Sequence, residues 1–80
     1  MRARVTVTLK SGVLDPQGQA ITGSLRSLGF DTVQGVRQGK VFDVELATVT
    51  SDKARETLSD ACERLLANTV IENYAIEIHA

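Results

Sequence analysis

The sequence has 80 residues, a formal net charge of −1 and a single cysteine, Cys62. This length predicts one domain over residues 1–80, and a core of that size seldom supplies more than about 3–5 kcal/mol of net stability. Because one cysteine excludes an intrachain disulfide, we expect the domain to gain stability by association. The near-neutral charge and the scarcity of aromatic residues argue against nucleic-acid binding.

The first residues pass directly into a strand-like pattern. No apolar segment long enough for a signal peptide or a membrane span precedes that pattern. An unpaired thiol is typical of a reducing compartment. We therefore expect a cytoplasmic protein without contact with a membrane.

The first two predicted elements are a strand and a helix. Apolar residues alternate with polar ones over residues 3–10, which predicts a half-buried strand. Asp15 and Pro16 then predict the start of a helix, because Asp caps the first turn and Pro needs no hydrogen bond there. Ile21, Leu25 and Leu28 form an apolar stripe on this helix. Gly29 follows at the position of a helix C-cap.

The central segment, residues 32–47, is predicted to be extended. Phe42, Val44 and Leu46 alternate with acidic residues, whereas Val33 and Val36 are out of phase with them. One interpretation is a long strand bent near Gly35 and Gly39. The other is a hairpin that turns at residues 38–39 and pairs residue 33 with 44. The long bent strand is the preferred interpretation.

A second helix begins at residues 51–52, and its predicted apolar stripe consists of Ala54, Leu58, Ala61, Cys62, Leu65 and Leu66. Residues 70–79 then predict a last strand. The order β-α-β-α-β predicts an α+β two-layer sandwich, an antiparallel sheet with two helices on one face. The hairpin would change this to a ferredoxin-like β-α-β-β-α-β order.

The sequence contains no recognisable catalytic or metal-binding set. His79 is the only histidine and lies beside the C-terminus, where chains fray. Cys62 lies on the apolar stripe of the second helix, where cysteine usually acts as a small hydrophobic residue. One cysteine and one histidine cannot make a standard zinc site. We expect no catalytic residue, no metal and no cofactor in this chain.

Several segments together resemble the PurS family, the small subunit of phosphoribosylformylglycinamidine synthase. The segments, in chain order, are KSGVLDPQG (10–18), SLGF (27–30), VRQGK (36–40), LLAN (65–68) and VIENY (70–74). They cover essentially the whole chain. Thr69 departs from the family, which usually has Pro there, and this loosens the turn before the last strand.

The resemblance implies a role in de novo purine biosynthesis. The family's complex converts formylglycinamide ribonucleotide, glutamine and ATP to the amidine, with ATP and magnesium in a synthetase subunit and ammonia released by a glutaminase subunit. The small subunit forms dimers or dimers of dimers. It is expected to bridge the two catalytic subunits and assist ammonia transfer, without a catalytic residue of its own.

The resemblance also suggests which residues contact partners. They are Asp15, Pro16, Gln17, Gly18, Arg37, Gly39 and Lys40. The structural alternatives are capping for Asp15, close packing for Gly18 and a solvated strand face for Arg37 and Lys40. The main functional alternative is a ferredoxin-like regulatory domain that binds a small molecule. A glycine-rich loop after the first strand would favour it, and Ser11-Gly12 is a weak version.

Overall fold

The computed structural model describes residues 1–79. Its elements are β1 (Arg2–Leu9), α1 (Pro16–Ser27), β2 (Lys40–Glu45), α2 (Ser51–Ala61) and β3 (Glu72–His79), and a wide π turn at Cys62–Leu66 extends α2. The order β-α-β-α-β and the α+β class are as predicted. No helix within residues 1–79 combines the length and the apolar character needed to cross a bilayer.

The three strands form an antiparallel sheet in the order β2-β1-β3. Ala3 pairs with Val44 and Ile78, and Val5 pairs with Phe42 and Ile76. Because partners directly opposite in a sheet point to the same side, these apolar side chains share one face, here called the inner face. The opposite, outer face carries Arg2, Arg4, Asp43, Glu45, Glu77 and His79.

The core lies between the inner face and α2. Its fully or almost fully buried side chains are Ala3, Val5, Val7, Ala54, Leu58 and Cys62. Thr50 caps α2, since its side-chain oxygen accepts a hydrogen bond from the Lys53 backbone N–H at 3.2 Å. The predicted burial of Cys62 is confirmed. The helix therefore supplies the second layer over β1 and packs toward β3.

The prediction that Leu65 belongs to the buried stripe is wrong. Its side chain is 84% exposed, whereas Leu66 packs partly against the core. The cause is the π turn, in which the Ala67 N–H bonds the Cys62 carbonyl five residues back at 3.1 Å. Such a turn advances by less than the roughly 100° per residue of an α-helix. Leu66 therefore takes the inward position.

The central strand is shorter than predicted. It begins at Lys40, and Lys40 pairs with Val7. Continued upstream, this register passes the end of β1 after Gln38, so residues 32–37 have no strand opposite them in this chain. The alternative hairpin is not formed, because Val44 pairs with Ala3 and not with Val33. Within residues 1–79 the extended segment before Gly39 is unpaired.

The helix α1 does not lie on the sheet of its own chain, contrary to the expectation of two helices on one face. It makes at most marginal contact with the strands and α2, and runs back along residues 33–38 instead. We call residues 16–39 the arm. The radius of gyration is 16.1 Å, against about 12 Å expected for a compact domain of this length. The arm accounts for the 49 Å long axis.

Candidate assembly site at the base of the arm

The seven residues predicted to contact partners meet where the arm joins the sheet. Residues 15–18 start α1, and residues 37–40 return from the arm into β2. We call this region, formed by residues 10–18 and 36–40, the arm base. The structure therefore brings together two segments that are distant in the sequence.

The Asp15 carboxylate joins the two segments. Oδ1 accepts a hydrogen bond from the Gly18 N–H at 2.9 Å, and Oδ2 accepts one from the Gln38 N–H at 2.7 Å. The residue is only 7% exposed. These two N–H donors, with the bond from Gln38 the stronger cause, hold the pKa of Asp15 below its ordinary value. Asp15 is thus more than a helix cap, because it also binds residues 33–38, here called the return segment.

The Arg37 guanidinium fixes the loop between β1 and α1. Nη1 donates to the Val13 carbonyl and Nη2 donates to the Lys10 carbonyl, each at 3.0 Å. The planar guanidinium can bridge two acceptors because its N–H groups diverge in a rigid fork. Its charge also helps to lower the pKa of Asp15. Arg37 therefore has an internal role, although it remains open to solvent.

Gly18 and Gly39 permit the close approach of these segments. A Cβ on Gly18 would collide with the Val36 carbonyl oxygen and would stand 2.8 Å from Asp15 Oδ2. A Cβ on Gly39 would stand 2.7 Å from the Val7 carbonyl oxygen. Any side chain at either position would force the two neighbouring backbone segments apart. Both glycines are thus required by packing within this chain.

The remaining predicted contacts border a groove of about 300 Å³. Pro16, Gln17 and Lys40 are exposed at its rim. Four apolar side chains also line it, namely Leu9, Val13, Leu14 and Ile71. Lys40 Nζ lies 3.8 Å from Oε2 of Glu72, a carboxylate that is mostly buried. An apolar groove with polar groups at its rim can receive a segment of another chain.

The groove brings no nucleophile next to a base. Cys62 lies in the core, where burial raises the pKa of its thiol. His79 lies at the far end of β3, on the outer face beside Glu77. No three His, Cys, Asp or Glu side chains within residues 1–79 are placed to hold a metal ion. The arrangement is therefore suited to binding and not to acid–base or nucleophilic chemistry.

The outer face carries a second charged cluster. Arg4 donates from Nε to Asp43 Oδ1 at 2.9 Å, and this bond keeps the pKa of Asp43 below its usual range. Arg4 lies between Asp43 and Glu77, one on each neighbouring strand. Each cation on β1 is thus matched by carboxylates across the sheet. Exposed pairs of this kind are typical of a solvated sheet face.

Sequence reasoning missed the exposed apolar side of the arm. Ile21 and Leu28 were predicted to be buried, but Leu28 is 74% exposed and Ile21 also remains exposed. Only Leu25 of that stripe is half-buried. Phe30 at the tip is exposed as well. The sequence signal for this surface was the pair Gly18 and Gly23. A helix with two interior glycines is weak by itself and needs to pack against another part of the protein or another chain.

A small α+β chain with a projecting arm and an apolar groove at its base has the features of a subunit that works in an assembly. Comparison with known families identifies which one. The family model described as PurS, phosphoribosylformylglycinamidine (FGAM) synthase, matches residues 2–80. The chain belongs to the PurS family.

Relatives and solved structures agree with this assignment. The PurS subunit of phosphoribosylformylglycinamidine synthase from Synechocystis sp. is 47% identical over 77 residues, which are 96% of this chain and 77% of that protein. The structure of Bacillus subtilis PurS superposes with a TM-score of 0.89 at 40% identity and covers 99% of this chain and 98% of its own. A chain of PurLQS from Thermotoga maritima superposes with a TM-score of 0.85 at 34% identity, covering 95% and 93%.

Proposed function

We propose that this chain is the small subunit of phosphoribosylformylglycinamidine synthase in de novo purine biosynthesis. The family match over residues 2–80 supports this proposal. The likeness to a chain of PurLQS supports the proposal that this chain functions within a complex of several subunits. In that complex, ATP and magnesium belong to the synthetase subunit and glutamine to the glutaminase subunit, and this chain binds no cofactor. The complex works in the cytoplasm, where a buried, unpaired Cys62 stays reduced.

The role of the subunit is to bridge the synthetase and the glutaminase and to assist the passage of ammonia between them. The observation that carries this role is the projecting arm, which presents a binding surface separate from the groove at its base. One surface is that groove, and the other is the apolar side of α1 further along the arm. A chain with two separated surfaces can hold two neighbours at once.

The subunit also binds a second copy of itself. The inner-face side chains of β2, Phe42 and Val44, are only half-buried by their own α2. The exposed apolar side of α1 has the matching character. Covering one with the other removes apolar surface from water on both copies. The unpaired segment before Gly39 then pairs with the partner, giving a dimer or a dimer of dimers.

The alternative of a small-molecule regulatory domain has less support. Such a domain needs a backbone loop after β1 that offers its groups to a ligand. Here two carbonyls of that loop, those of Lys10 and Val13, are taken by Arg37. The loop is therefore occupied by an internal contact.

Reconstitution tests the proposed function. The synthetase and glutaminase subunits of the same organism are purified and assayed for glutamine-dependent formation of the amidine, with and without this chain. We expect glutamine-dependent activity only with all three, undiminished synthesis with ammonium salt when this chain is omitted, and no turnover by this chain alone. Full glutamine-dependent activity in its absence would refute the proposal.

A further inference from the structure

The arm is held to the rest of the chain by few contacts. Its helix makes no substantial packing contact with the sheet. Along the arm itself, Arg26 Nε donates to the Val33 carbonyl at 3.0 Å, and this bond joins helix to return segment without reaching the sheet. At the arm base, the side chains of Asp15 and Arg37 provide the hydrogen bonds that join residues 10–18 to residues 36–40.

Asp15 differs from an ordinary helix cap in using both oxygens on separate segments. The bond to Gly18 lies within the first turn of α1, whereas the bond to Gln38 crosses to the residue two positions before β2. Gln38 is followed by Gly39, which lies against the Val7 backbone at the end of β1. The carboxylate therefore connects the start of α1 to the point where the chain rejoins the sheet.

We propose that Asp15 is a positioning residue that sets the direction of the arm, and that it controls assembly through the arm and not by touching a partner. The low exposure of Asp15 supports this, because both oxygens already accept hydrogen bonds from backbone N–H groups of this chain. The inference builds on the proposed function, since the arm carries one of the two surfaces assigned there. Loss of the Gln38 bond frees the return segment and lets the arm sample other directions.

Two substitutions separate capping from positioning. Asp15→Ser keeps a hydroxyl oxygen that can cap Gly18, but its side chain is too short to accept from Gln38 as well. Asp15→Asn keeps the size of the side chain but has one acceptor oxygen, and so it places an N–H donor against one of the two backbone N–H groups. Asp31→Asn removes the same charge from the exposed tip of the arm and serves as the matched control.

Hydrogen exchange of the purified chain gives the direct readout. In Asp15→Ser we expect the Gln38 amide to exchange about tenfold faster or more, as a charge-assisted hydrogen bond is lost. The Val5 amide in the core keeps its rate, and far-UV circular dichroism keeps the helix content. The affinity of the chain for its own copy and for the other subunits falls by a similar factor. The Asp31→Asn control leaves all four readouts unchanged.

Two results would overturn the inference. Weaker assembly with a Gln38 amide as protected as in the unchanged chain would make Asp15 a direct partner contact. Faster exchange at Gln38 with full assembly would show that arm direction does not matter. The exchange measurement uses this chain alone, so a failure of the unchanged chain to support amidine synthesis would count against the proposed function and leave the test of Asp15 intact.

Discussion

At the scale of single residues, Cys62 shows how a reactive group is kept out of chemistry. Its side chain is 0% exposed and packs against β1 beneath α2. Burial raises the pKa of the thiol because the thiolate would lose its hydration. Only the thiolate attacks reagents efficiently. Cys62 therefore contributes to packing and has no chemical task.

We predict that Cys62→Ala lowers the free energy of unfolding by about 1–2 kcal/mol, through lost burial and a small cavity. Urea unfolding checks the value, and Cys62→Asp is expected to cost more because its carboxylate would be buried without a partner. Leu65→Ala is the control and leaves stability nearly unchanged, since that side chain is exposed. Rapid labelling of Cys62 by a thiol reagent in native buffer would contradict the prediction.

Asp15 predicts a specific loss of stability in acid. Its pKa is lowered in the folded chain from an ordinary value of 3.8, chiefly by the bond from Gln38. A carboxyl group with a lowered pKa stabilises the fold above its unfolded pKa, and this contribution disappears as the pH falls through the folded pKa. We expect the urea concentration at the midpoint of unfolding to fall as the pH is lowered below about 4. This fall should be less steep in Asp15→Asn. Equal slopes in both chains would contradict the assignment.

At the scale of elements, we predict that replacing glycine by alanine has opposite effects on stability at two positions of α1. Gly23→Ala meets nothing within 4 Å and should stabilise the chain by about 0.5–1 kcal/mol, because alanine favours the helix. Gly18→Ala collides with the Val36 carbonyl and should destabilise it by about 1–3 kcal/mol. Thermal unfolding of the two variants checks the signs. A gain at both positions would place α1 away from the return segment.

The elements also show what the sequence can and cannot predict. Both ends of α1 follow from nearby residues, Asp15 with Pro16 at the start and Gly29 at the end, where the Phe30 N–H bonds the Leu25 carbonyl. The start of β2 and the bond from Gln38 to Asp15 depend on contacts over 23 residues or more. No local pattern distinguishes the π turn at Cys62–Leu66 from a continuing α-helix.

For the candidate site, too, the sequence predicts some features and misses others. The resemblance suggested seven residues that the structure places in the arm base, but the sequence pattern alone justified only the helix start at Asp15 and Pro16. Other roles are visible only in the folded structure, where Arg37 binds two carbonyls and Gly39 contacts β1. That the predicted site residues contact partners stays a prediction.

At the scale of the whole molecule, the projecting arm indicates how the proposed dimer can be broken. Leu28→Asp replaces an exposed apolar side chain of the arm with a carboxylate that would be desolvated against a second copy. We expect at least about a tenfold rise in the dimer dissociation constant, with the monomer still folded. Light scattering over a dilution series measures it. Leu65→Asp, in the π turn that follows α2, is the control, and an equal effect there would move the interface away from the arm.

The central claim is that this chain acts only as a member of a larger assembly. The most direct measurement is capture of the tagged chain from native extract of its own organism, with the co-purifying proteins identified and their ratio determined. We expect to recover the synthetase and the glutaminase of phosphoribosylformylglycinamidine synthase, and to recover less of both with Leu28→Asp or Asp15→Ser. Recovery of the chain alone under conditions that preserve glutamine-dependent activity in the extract would contradict it.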